Sequence, residues 1–158
     1  MIGPSKTSAR RRYIFIAAAA SVRAGGMAIN SAIQVTNTGS NPTLTGAGGV
    51  TVNPGVGNTV TYNCTNNYTG ETVIASGTLT LASRGGIPNT VRIVVSEAAT
   101  FNVVAKAAGF ILDAGQTLAG NGSVVGRVTA NGTVSPGASV GTLTFSTNLT
   151  LAGTTIMD

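Results

Sequence analysis

The chain has 158 residues, nine basic side chains against four acidic ones, no histidine and one cysteine. The length suits one domain; the missing histidine removes histidine bases, Ser-His-Asp triads and His-ligated metals, and a lone cysteine, Cys64, allows no intrachain disulfide. Threonine (24), glycine (22) and asparagine (13) are abundant, while 8% of residues are charged and 4% aromatic, a makeup of short strands and tight turns rather than of a highly charged disordered chain.

Residues 1–24 are expected to form an export signal peptide. A basic stretch, residues 6–12, precedes ten apolar or small residues, 13–22, and Val22-Arg23-Ala24 supplies a small-x-small cleavage site. Ten such residues are too few for a permanent membrane helix. The arginines at 10–12 also loosely fit a twin-arginine signal. Lys6, Arg10, Arg11, Arg12 and Arg23 hold five of the nine positive charges. From Ala24 onward Arg84, Arg92, Lys106 and Arg127 balance Glu71, Glu97, Asp113 and Asp158. No clustered basic face is therefore expected, and nucleic acid is not expected as a partner.

Residues 25–42 are expected to be an N-terminal cap or linker, with a short strand or capping turn at 28–35 followed by the polar loop TNTGSNP. From residue 43 to 158 a strand-and-turn rhythm takes over. Strands are predicted at 43–45, 50–52, 59–62, 72–74, 78–81, 91–95 and 100–104, separated by Gly, Asn-Gly and Pro-Gly breaks, and residues 110–112 lead into the closing repeats. Pro88 falls in a longer loop, where its missing N–H disrupts no ladder, and residues 105–108 are expected to make a helical turn. Near the end, TLTF places Leu143 and Phe145 on one face, and NLTL does the same with Leu149 and Leu151.

Many of these runs are only three to five residues long, and the glycine breaks recur at irregular intervals. Both features favour an all-β solenoid, in which like side chains stack from coil to coil, over the alternative, an antiparallel β-sandwich.

Residues 66–82, NNYTGETVIASGTLTLA, resemble the YTGxTxIxxGTLxL repeat of the autotransporter-associated β-strand family. The closing segments AGQTL (114–118), GNGSV (120–124), GRVT (126–129), GTVSPG (132–137), VGTL (140–143) and NLTLAG (148–153) resemble the sequence C-terminal to that repeat in large bacterial surface proteins. The likeness covers about half of the chain, and SPG followed by GTL is its most specific part. It implies a right-handed parallel β-helix, secreted or displayed on the bacterial cell surface as a structural passenger or stalk, with a role in adhesion. In autotransporters a C-terminal membrane barrel comes after such a segment. Membrane attachment is accordingly expected only through an anchor lying outside these 158 residues.

Little chemistry is written on this frame. The four acids are scattered, so no catalytic carboxylate pair is expected and the chain is not expected to be an enzyme. The glycine-rich pieces lack any phosphate-loop frame, so no cofactor is expected. Tyr62 and Tyr68 flank a polar Asn-Thr patch and are the candidate contacts for a cell-surface glycan. A solenoid coil needs a neighbour to bury its face, so Thr154, Thr155, Ile156, Met157 and Asp158 are the candidates for end-to-end stacking with a second copy in an extracellular filament.

Overall fold

Alternation of one inward and one outward side chain recurs at nearly every strand, as in the GTLTL segment, where Gly77, Leu79 and Leu81 are buried while Thr78 and Thr80 are only partly so. Val, Ile, Leu and Phe take the inward phase and Thr, Ser and Asn the outward one, so each short run buries a single stripe. Such a stripe is stable only against the same stripe of the next coil. The computed structural model describes residues 12–15, 20–21, 25–30, 33–36, 44–137 and 141–157, and among them it is an all-β parallel solenoid without a helix.

The first sheet has seven strands, Arg12–Phe15, Ile33–Thr36, Thr59–Tyr62, Gly77–Leu81, Ala99–Asn102, Ser123–Val125 and Thr144–Phe145. A second sheet of seven comprises Met27–Ile29, Val50–Val52, Thr72–Ile74, Arg92–Val95, Thr117–Gly120, Thr133–Pro136 and Thr154–Thr155. The third side is split. Ala20–Ser21, Leu44–Gly46 and Asn67–Tyr68 form one three-stranded sheet, and Phe110–Leu112, Val128–Ala130 and Leu149–Leu151 form another. Between them lies a single bridge, Thr65 to Gly86. Among the described residues every strand pair is parallel. The sandwich, which needs antiparallel neighbours, is set aside.

Register carries the core. Val60, Leu79, Phe101, Val124 and Phe145 follow one another up the first sheet, and Val50, Thr72, Ile93, Leu118 and Val134 do so up the second. All but Phe145, which is half-buried, are closed off from solvent. Burying each large apolar side chain is worth about 1.5–3 kcal/mol before entropy is counted, and the stack runs along the coil axis without a polar gap in the first sheet. The Phe101 and Phe110 rings meet edge to face at 5.2 Å and 86°, locking the first sheet to the third side.

Two expectations need revision. Parallel pairing reaches N-terminal of residue 43, because Met27–Ile29 pairs with Val50–Val52 and Ile33–Thr36 with Thr59–Tyr62; the stretch expected as a cap or linker carries strands of both large sheets. Residues 105–108 form no helical turn. Lys106 N bonds Val103 O and Gly109 N bonds Lys106 O, at 3.0 and 2.9 Å, making two successive tight turns, and the positive φ of Gly109, 86°, ends any helical path.

Candidate functional site

Tyr62 and Tyr68 are not on the surface. Both are 0% exposed, which corrects their reading as glycan contacts: each falls on the inward phase of its strand, so neither ring offers a face to a sugar. They belong to an internal polar string. The Tyr68 hydroxyl lies 2.6 Å from that of Thr72, Thr72 lies 3.0 Å from Thr90, and the Thr90 hydroxyl donates to Gly70 O at 2.5 Å. Among the described residues the buried Tyr62 hydroxyl has no partner at hydrogen-bonding geometry. Burial pushes the Tyr68 phenol up to about 12 and raises Tyr62 well above its ordinary value, with Tyr68 and Cys64 beside it adding to the effect. Cys64 is itself buried.

At the far end of the coil, Thr154 and Thr155 pair with Thr133 and Val134. Their outer sides are open, and Ile156 and Met157 are 46% and 79% exposed. Asp158 lies outside the described residues.

A surface concavity lies where the third side is split. The loop around Ile87 and Pro88 makes no ladder with Phe110–Leu112, and a concavity of about 280 Å³ opens there, walled by Arg84, Pro88, Lys106, Ile111 and Asp113. Its floor is held from within by Gln116, whose amide donates to the carbonyls of Ile87, Pro88 and Thr90 at 3.1, 3.4 and 2.8 Å while its oxygen accepts from Asp113 N at 3.0 Å. These bonds replace the missing ladder. A second concavity of about 310 Å³ adjoins it, walled by Lys106, Arg127, Thr147 and Asn148.

Lys106 is the wall the two share. Its ammonium reaches back one coil to the carbonyl of Ser83 at 3.2 Å and to that of Gly85, the residues on either side of Arg84. Partial burial lowers its pKa from the ordinary lysine value. One coil further, the stem of Arg127 lies across Gly109: a Cβ at that glycine would sit 3.2 Å from Arg127 Cγ. The coil repeat thus brings Arg84, Lys106 and Arg127 to neighbouring levels of one side of the solenoid, in a loose column.

That column corrects the expectation that no basic side chains cluster on the fold. A count along the chain finds them scattered; winding the chain brings them together. The signal was their recurrence at the coil length, visible in the 23- and 21-residue spans of the two Lys106 bonds.

Among the described residues no three histidine, cysteine, aspartate or glutamate side chains gather as metal ligands, and no helix is long and apolar enough to cross a membrane. Comparisons with protein-family models, with curated proteins and with solved structures find no match to this chain.

Proposed function

We propose that this chain is a structural segment of a secreted or surface-displayed bacterial protein, a stiff stalk or passenger that holds other parts away from the cell. The supporting observation is the in-register apolar stack from Val60 through Leu79 and Phe101 to Val124, which makes bending costly because every coil is bonded to both neighbours along two continuous sheets. Close-packed interiors resist deformation, and backbone engaged in ladders is poor protease substrate. Residues 1–24 act in this reading as the export leader, and their removal leaves Ile33–Thr36 as the outer strand of the first sheet.

The test is to express the chain in a bacterial host, separate medium, envelope and cytoplasm, and treat the exported product with a broad-specificity protease. The expected result is a leader-cleaved product outside the cytoplasm, resistant from about residue 44 onward. A product that stays in the cytoplasm, or one digested throughout, overturns the reading.

A second reading rests on the exposed apolar side chains of the last described rung, Leu151, Ile156 and Met157. A further coil of the same protein or the first coil of a second copy would cover them. Concentration-dependent lengthening by sedimentation, abolished in Ile156→Lys, supports self-stacking; a monomer at all concentrations removes it.

A further inference from the structure

We propose that the column Arg84, Lys106 and Arg127 is a docking groove for a linear acidic polysaccharide. The inference stands apart from the structural reading, since a stiff stalk needs no such groove.

Charge comes first. Of the four basic residues beyond Ala24, Arg92 pairs with Glu71 at 3.3 Å, and the other three share one side of the solenoid. Arg84 and Arg127 make no ion pair among the described residues, and Lys106 donates only to carbonyl oxygens, so none of the three charges is neutralised by a carboxylate bonded to it. Successive parallel strands are roughly 4.8 Å apart. Three like charges on adjacent coils make this side of the solenoid locally positive, and an anionic chain laid along it is drawn to all three.

Shape comes next. Two open concavities on adjacent coils share Lys106 as a wall, so a polymer laid across that wall meets both, which a small closed pocket would not allow. Thr147 and Asn148, both exposed, edge one end of it with a hydroxyl and an amide suited to sugar hydroxyls. Lys106 is pre-positioned by its two carbonyl partners, which lessens the side-chain ordering that binding must otherwise impose.

The same walls disfavour nucleic acid. Single-stranded nucleic acid depends on aromatic platforms for stacking, worth roughly 1–3 kcal/mol per base, and the one aromatic residue lining either concavity, Phe110, is 7% exposed with its ring packed on Phe101.

The experiment compares the full chain with the triple variant Arg84→Gln, Lys106→Gln, Arg127→Gln for binding, at low ionic strength, to polygalacturonate, dextran sulfate, neutral dextran and single-stranded DNA. Both proteins keep the basic N-terminal residues, so binding through those cancels. The expected result is retention by one or both acidic glycans, weakening as salt rises, none by neutral dextran, and an affinity roughly tenfold to a hundredfold lower in the triple variant. Arg92→Gln leaves affinity unchanged. Binding to polygalacturonate alone assigns carboxylates, and to dextran sulfate alone sulfates. Unaltered binding by a triple variant with a wild-type melting curve, failure to bind either acidic glycan, or DNA bound as tightly as the glycans overturns the proposal. If the triple variant melts early, Arg84→Gln and Arg127→Gln, both at exposed side chains, are read singly, each expected to weaken binding about threefold.

Discussion

The hydroxyls of Tyr68 and Thr72 lie 2.6 Å apart in the closed interior, one on the third side of the coil and the other on the second sheet. Tyr62, buried beside them, has a hydroxyl with no partner at hydrogen-bonding geometry. The two phenols therefore answer differently to the same substitution. Tyr62→Phe removes a buried hydroxyl whose polar contact is the Tyr68 hydroxyl beside it, outside hydrogen-bonding geometry, and is expected to cost less than Tyr68→Phe, which lowers stability by about 0.5–1.5 kcal/mol. Thr72→Val strands the Tyr68 hydroxyl and costs about 1–3 kcal/mol. Urea titrations followed by circular dichroism rank the three, and an equal loss for both tyrosines would contradict the network described.

The raised phenol of Tyr68 sets a pH dependence at the alkaline end. Its folded pKa, about 12, lies above the ordinary value of 10.0, so the folded state holds the proton more tightly than the unfolded chain does. The contribution is complete below pH 10 and is lost as pH rises toward 12. Tyr62 acts in the same direction. Denaturant midpoints measured between pH 9 and pH 12 should fall steadily, and the fall should be shallower in Tyr62→Phe/Tyr68→Phe.

Gln116 stands in for a length of missing β-ladder. Gln116→Leu leaves the Ile87, Pro88 and Thr90 carbonyls without the donor they share, and orphaned buried groups cost about 1–3 kcal/mol each. Stability is expected to drop by at least about 2 kcal/mol, with amide exchange speeding up first in the loop around Ile87. Uniform acceleration through the whole chain would show that Gln116 supports the fold generally rather than this break.

Position along the stack decides the cost of a cavity. Phe101→Ala, at a fully buried ring between Leu79 and Val124, is expected to cost about 3–5 kcal/mol. Leu151→Ala, at a side chain 52% exposed, stays within about 0.5 kcal/mol. Thermal melts of the two variants make the comparison, and similar losses would mean that the last rung is buried against something in solution.

The strands are largely legible because period-two alternation needs only the local sequence: the predicted runs at 50–52, 59–62 and 72–74 coincide with Val50–Val52, Thr59–Tyr62 and Thr72–Ile74. What local reading misses is the third dimension of a coil. The polar Asn and Thr residues around Tyr62 and Tyr68 suggest an outward position, yet inward phase is set by the strand, and a phenol is accepted inside when a Thr hydroxyl meets it. Arg84, Lys106 and Arg127 looked dispersed because each is separated from the next by the residues of an entire coil. Residues 27–29 and 33–36 fall in the stretch read as a cap or linker with a short strand or capping turn at 28–35, and the structure makes two strands of it, each joined to a large sheet.

The offset between Leu79 and its partners Val60 and Phe101 fixes what kinds of change in chain length the molecule tolerates. Excising or doubling a slice that begins and ends at equivalent points of adjacent coils returns every side chain to its own side, and the rod simply becomes shorter or longer. Loss of a single residue inside a strand turns the rest of that strand inside out. The heritable variable that such a chain offers to selection is thus reach, altered in whole-coil steps by unequal recombination, while its cross-section stays the same.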